Sequence, residues 1–475
     1  MHILSAKTPL TQRKDKRNGS ALLLATLFLL ALIPMVGLAI DGTHVYMMRN
    51  QIVNALNAAV LAGNRSVSLG QNFAQQQASA AMGATNTFNA NIAGMPANMA
   101  MIAPSFNVSQ NASKTISVSG SVTATLPLML IGMVIPAARW PTFTVSATAQ
   151  RRNVNIMLVL DHSAGMAPNP FNSNPIGALQ ADANQFVNMF VNNSDNIGLV
   201  GFVGAPYLAD PLPNLDFQSN VPNDINSLQA IAQPTFAYNG ASNPAAALSV
   251  AYAQIQSYNQ PGSLNVIVLF TDGDPTAFTG NFAGLVTAGT TTCSTTANPL
   301  NGLLFTNSYA AFGARYGLSD YTAVSVNDAP EARAAAGCNI SAPPGNPIGV
   351  LSSMPSVDYY GNSTNGTGTV PQYPPVTLTS FLGSSINAAA SNALNDAANR
   401  IRSAALPATI FVIGLGGNPT KQPDPVLMYL VANDPTSGSY NSSQPAGAYI
   451  LAPTQAELQT AFTSIASQVL RLAAQ

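Results

Sequence analysis

The sequence predicts an α/β protein built as two parts behind an N-terminal apolar helix, and three observations predict it. A basic stretch runs directly into a long uncharged apolar segment. Short segments of period near two follow from Ser105. From Asn153 onward, near-continuous apolar runs alternate with amphipathic stretches, the pattern of a doubly wound, mainly parallel, Rossmann-like sheet covered on both faces.

The N-terminal segment comes first. Of 17 Lys and Arg residues, Lys7, Arg13, Lys14, Lys16 and Arg17 directly precede SALLLATLFLLALIPMVGLAI, residues 20–40. That run is long enough to span a bilayer as a transmembrane helix, and its positive flank makes residues 1–19 a cytoplasmic basic tail. Everything after Asp41 is then exported. A cleaved signal peptide is the rival reading, but the run exceeds an ordinary signal core and no small-x-small cleavage site follows it. Charged residues are only 7% of the chain against 47% apolar, with a net charge of -1. Solubility therefore rests on Asn, Ser, Thr and Gln, and the chain has no electrostatic grip on nucleic acid.

Residues 41–150 continue without a break signal. Val45, Met48, Ile52, Leu56, Ala59 and Gly63 recur at helical spacing, so the membrane helix is expected to run on as an amphipathic stem. Ala55, Ala58, Ala59, Ala62 and Gly63 suit close approach, either of another helix or of the stem's own domain. SFNVSQ, TISVSGSVTATLPL and PTFTVSATAQ read as strands of a small sheet packed on that stem. LMLIGMVI between them fits a buried strand, a short helix or a contact patch.

Residues 153–475 carry the alternating pattern. VNIMLVL, NIGLVGFV, LNVIVLF, ATIFVIGLG and AYILA read as strands, with helices over 176–193, 243–258, 386–404 and 455–472. Residues 275–385, rich in Gly, Ser, Thr, Asn and Pro, interrupt the series as an insertion too polar to bury a large core. The insertion holds both cysteines, Cys293 and Cys338. Outside the cytoplasm they could close a disulfide worth about 4 kcal/mol on the chain-entropy model. Two unpaired structural thiols are the alternative, and without neighbouring histidines zinc is not suggested.

In a doubly wound sheet, ligands bind beyond the carboxyl ends of the strands. Asp161 and Asp272 each stand at such an end and are expected to meet in one crevice. Two carboxylates there repel unless a cation or hydrogen bonds compensate. The hydroxyls of Ser163 and Ser242, with water, could complete the oxygen shell of a hard divalent ion such as Mg2+. MLVLDHSAGM, NGASNPAAAL and VIVLFTDGDPT, in that order, resemble the von Willebrand factor A (vWA) domain. The metal-ion-dependent adhesion site of that family has the form Asp-x-Ser-x-Ser, then Thr, then Asp. The resemblance implies Asp161, Ser163, Ser242 and Asp272 as metal-site residues and Mg2+ as the ion. Gly165 stands in place of the second serine, so one direct oxygen ligand is missing and the site is degenerate. Both a bound ion and a metal-free pit, with its carboxylates held by backbone and hydroxyl donors, stay open.

RKDKRNGSALLLATLFLLALIPMVGLAIDGTHVYMMRNQIVNALNAAVLAG is similar to the start of the TadE/TadG-like proteins of bacterial Tad (Flp) pilus assembly. A pilin-like N-terminus joined to a vWA domain is the architecture of a TadG-type protein. That implies a single-pass anchor in the bacterial inner membrane, with the bulk of the chain periplasmic or at the surface. The expected partners are pilus-assembly or envelope proteins.

Other classes fit less well. A hydrolase needs a base, and the histidines are His2, His44 and His162. His162 adjoins Ser163, and neighbours on an extended strand exit point apart, so no nucleophile and base pair is expected. Asp274 in TDGDPT suits a turn better than a general acid. No Gly-x-x-x-x-Gly-Lys loop supports a cytoplasmic ATPase-coupled relative, and GLGG at Gly414 is too short to cradle a phosphate. The expectation is therefore a non-enzyme without a small-molecule substrate. The choice left is an assembly component or a surface adhesin binding a host or substratum ligand. Tyr359, Tyr360 and Tyr373 in the insertion offer a second contact surface if the crevice is not the working one.

Overall fold

A computed structural model describes residues 18–67, 73–95, 100–101, 103–111, 116–128, 130, 141–192, 194–229, 241–260, 262–282, 286–288, 291–294, 300–307, 315–320, 340–342, 353–366, 373–380, 382–417 and 422–473. The chain divides into two compact units. One comprises 1–63, 80–108 and 118–149, and the other 64–79, 109–117 and 150–475.

The first unit is organised by helix α1, Asn18–Ser66. Its apolar first half is exposed, with Leu22 and Leu30 both at 73%. The 21 uncharged residues 20–40 rise about 30 Å as a helix, which matches the hydrocarbon thickness of a bilayer. This is the one helix among the described residues long and apolar enough to cross a membrane. The second half of α1 buries one stripe, Ile52, Ala55, Leu56 and Ala59. It packs with Ala84 and Phe88 of helix α2, Phe73–Ile92, which the sequence reading did not anticipate. A Cβ on Gly63 would lie 2.8 Å from the Ala80 carbonyl oxygen, so glycine there lets the two helices close. Strands β1 (Ala100–Met101), β2 (Ser105–Gln110), β3 (Ile116–Thr125) and β4 (Thr142–Arg151) form the expected small sheet, with β3 paired to all three others. Val122, Ala124 and Val145 close its core, and Thr123–Thr144 and Thr125–Thr142 hydroxyl pairs, each 2.8 Å, lace β3 to β4. Asp41 is buried and accepts the Leu130 N–H at 3.1 Å on both carboxylate oxygens. All of LMLIGMVI except Leu128 and Leu130 lies outside the described residues.

The second unit is the doubly wound sheet. Its elements run β5 (Val154–Asp161), α3 (Pro175–Val187), β6 (Asn196–Phe202), β7 (Pro206–Asp210), α4 (Phe217–Ser227), α5 (Pro244–Tyr258) and β8 (Leu264–Thr271). Then come β9 (Ala277–Phe282), β10 (Val286–Ala288), β11 (Thr291–Ser294), β12 (Leu300–Asn307), β13 (Arg315–Asp320) and β14 (Ile340–Ala342). The series ends with α6 (Gly383–Ser403), β15 (Thr409–Leu415), α7 (Pro425–Ala432), β16 (Tyr449–Ala452) and α8 (Leu458–Ala473).

The central sheet has the order β16-β15-β8-β5-β6-β7, parallel except for β7. Alternate residues of β5 serve opposite faces, as the two-residue period requires. Ile156, Leu158 and Leu160 meet Phe186 of α3, Val221 of α4 and Phe462 of α8 in one core. Met157 and Val159 meet Leu248 of α5, Leu394 of α6 and Met428 of α7 in the other. The chain moves from β5 outward to β6 and β7, then returns to β8 on the other side of β5. The strand order therefore reverses between β5 and β8, which opens the crevice at their carboxyl ends.

The insertion, residues 275–385, has secondary structure of its own. It folds an antiparallel sheet of order β14-β13-β12-β9 and a β10-β11 hairpin. Ala277, Leu303 and Phe305 form a small core with Ala205 and Ala241, so a few apolar residues suffice for a satellite layer. Cys338 and the side chain of Cys293 lie outside the described residues, and with them the expected disulfide.

Candidate functional site at the strand ends

Apolar strand β5 ends on Asp161, whose side chain is fully buried. The chain then bends through Ser163 into a single 3-10 turn, Ala164–Met166, pinned by buried Met166. Asp161 Oδ1 accepts the Ser163 N–H at 2.9 Å. Its Oδ2 accepts two hydroxyls, Ser242 Oγ at 2.8 Å and Thr271 Oγ1 at 2.9 Å. Burial raises the Asp161 carboxyl above its ordinary value; the Ser163 N–H and the Ser163, Ser242 and Thr271 hydroxyls pull the other way.

Ser242 is placed by the start of α5. Asn243 caps that helix, its Oδ1 accepting the Ala246 N–H at 3.3 Å and its Nδ2 donating to the Gly204 carbonyl at 3.1 Å. Ser242 also exchanges bonds with the loop after β8. Its N–H donates to Thr276 Oγ1 at 2.8 Å, and its carbonyl accepts the Thr276 and Ala277 N–H groups at 2.9 and 3.1 Å. Asp272 reaches the pit from β8. A Cβ built on Gly165 would lie 1.7 Å from Asp272 Oδ2 and 2.7 Å from its Cγ.

All four residues named from the sequence thus converge. Thr271 was missed. Its signal was a hydroxyl at the last position of a buried strand, directly before Asp272, and it holds Asp161 as closely as Ser242 does. The other candidates have structural partners. His162 is buried, its Nδ1 3.0 Å from the Gln229 carbonyl and its ring edge-on to Tyr207 with centroids 5.7 Å apart. Asp274 accepts the Asp424 N–H at 2.7 Å and ties the β8 loop to the N-cap of α7. Tyr373 is half-buried and donates to Asp424 Oδ2 at 2.8 Å; burial first, then that carboxylate, push its phenol up to about 12. Of the three tyrosines named from the sequence, Tyr359 is exposed, while Tyr360 and Tyr373 are half-buried.

The donor set does not fit a hexacoordinate ion as it stands. A hard ion such as Mg2+ demands near-octahedral oxygen ligands. The position of the family's second serine brings no oxygen, its side-chain space is filled by the Asp272 carboxylate, and Asp161 is already satisfied by neutral donors. Among the described residues no group of three or more His, Cys, Asp or Glu is arranged to hold a metal.

Comparison with known families agrees with the two halves. Residues 156–274 match the von Willebrand factor type A domain, and residues 19–84 match the Flp pilus-assembly TadE/G-like family. Together the two matches give the pair of regions expected of a TadG-type protein. The vWA match ends at Asp274, where the insertion begins, while β15 and β16 extend the same sheet beyond it. No curated protein matches the sequence. Among solved structures, the chain is similar to the von Willebrand factor domain of the type V pili tip protein Mfa5 from Porphyromonas gingivalis. The identity is 16%, over 68% of this chain and 97% of that one, with a TM-score of 0.37. A mutant PilB minor pilin from Streptococcus sanguinis is 16% identical over 80% of each chain, with a TM-score of 0.32. Proximal thread matrix protein 1 from the mussel byssus, described with a zinc-occupied adhesion motif, is 10% identical over 66% of this chain and 48% of that one, TM-score 0.32.

Proposed function

We propose that the chain is a membrane-anchored envelope component of Tad/Flp pilus assembly that docks pilus or envelope proteins at the strand-end crest of its vWA sheet. The observation that carries this is the joining of a TadE/G-like region, containing an exposed apolar helix, to a vWA domain in one chain. The positive flank of that helix orients the bulk of the protein away from the cytoplasm. We read the crest as a binding surface and not a catalytic one. Its hydroxyls Ser242 and Thr271 donate to a buried carboxylate, and the histidine beside Ser163 turns its Nδ1 to a main-chain carbonyl.

Membrane fractionation with a pilus count in a deletion strain tests the proposal. Inner-membrane recovery and loss of pili on deletion, restored by the wild-type chain, are expected. Normal pili with lost surface attachment would favour the adhesin instead.

A further inference from the structure

We infer that the crest works without a divalent ion, and that Gly165 is the residue that makes it so. In the vWA pattern a serine at this position would bring a hydroxyl toward the ion. Here the missing Cβ leaves a space, and the Asp272 carboxylate fills it: Oδ2, Cγ and Oδ1 would lie 1.7, 2.7 and 3.0 Å from a Cβ on Gly165. The first two separations are too short for any side chain at 165 while Asp272 keeps its present rotamer, and the third is a tight contact.

The loss is therefore double. The pit lacks one oxygen, and the acid meant to face an ion is packed against the 3-10 turn. The opposite wall is closed too, because the carboxylate of Asp161 takes one N–H and two hydroxyl hydrogen bonds. An entering Mg2+ would have to shed tightly held water, rotate Asp272 and redirect those donors, with one ligand fewer to repay it. The inference concerns the chemistry of the pit and stands whichever partner docks there.

Divalent-ion binding to the full chain in detergent micelles tests it. Mg2+ and Mn2+ are titrated by calorimetry and by thermal unfolding against wild type, Gly165→Ser, Gly165→Ala and Asp272→Asn. Wild type is expected to give no saturable heat and no ion-dependent shift in Tm at millimolar Mg2+. Gly165→Ser displaces the flexible end of Asp272 and supplies the oxygen, so it should gain saturable binding, at least about tenfold tighter than wild type. Gly165→Ala displaces Asp272 without adding a ligand and should gain much less. Saturable binding by wild type that Asp272→Asn abolishes would overturn the inference, and that comparison decides the matter if Gly165→Ser does not fold. A folded Gly165→Ser protein as silent as wild type would overturn the assignment to Gly165.

Discussion

Two fully buried aspartates stand at opposite ends of the same sheet, and they are held in different ways. Asp195, at the amino end of β6, accepts Arg151 Nη2 at 2.8 Å and the N–H groups of Val191 and Val154 at 3.1 and 3.3 Å. Both side chains of the ion pair are buried, at 3% and 0% exposure. Beside them Asn265, Asn155 and Asn196 bridge three adjacent strands through bonds of 3.1 and 3.3 Å. Asp161, at the carboxyl end, is held instead by the Ser163 N–H and the Ser242 and Thr271 hydroxyls. An ion pair bound into the main chain locks one arrangement. Neutral hydroxyls, which rotate, hold a carboxylate while leaving it able to change partners. The rigid end is scaffold, and the adjustable end is the one we propose for docking.

Stability measurements can break this comparison. Arg151→Ala leaves the Asp195 charge buried without its counter-ion and should cost about 3–5 kcal/mol in denaturant unfolding. Thr271→Val removes one donor from Asp161 at nearly constant shape and should cost about 1–3 kcal/mol. If the first substitution costs no more than the second, the two ends do not differ as argued.

A third acid sharpens the point. Asp210 at the end of β7 is raised from an ordinary 3.8 to about 7 by burial, and then by the hydrogen bond and charge of Asp224. A raised carboxyl means the fold prefers the protonated form. Its contribution to stability is thus complete below about pH 4 and lost as pH rises through about 7. Tm measured across that window should fall with pH, and Asp224→Asn should flatten the slope. The smallest effect is expected where no buried charge is involved: Asn174→Ala removes the cap that accepts the Gly177 N–H at 3.2 Å and should cost about 1 kcal/mol in the same unfolding assay.

Some of this molecule is legible residue by residue, and the reasons are local. Strands β5, β8 and β15 are buried on both faces, so their apolar runs stand out from a polar chain. Helix α2 does not, because its inward face is mostly alanine, with Ala80 and Ala84 preceding Phe88, and its other positions are neutral. Helix α7 is only eight residues, PVLMYLVA, and a short apolar run cannot be told from a strand by its period. The insertion hid its sheet because β12 buries Leu303, Leu304 and Phe305 in succession, where one-sided alternation would mark a strand.

Composition and order alone establish the basic flank, the membrane-length helix, the alternating sheet and the acids at its strand ends, since each depends on neighbours along the chain. Only folding in space decides that Asp272 comes to rest in the gap left by Gly165, that Thr271 joins Ser242 on one carboxylate oxygen, and that His162 turns its Nδ1 to the Gln229 carbonyl. Those are contacts between residues far apart in sequence, governed by rotamers and by the volume each neighbour leaves open, and no local pattern encodes them.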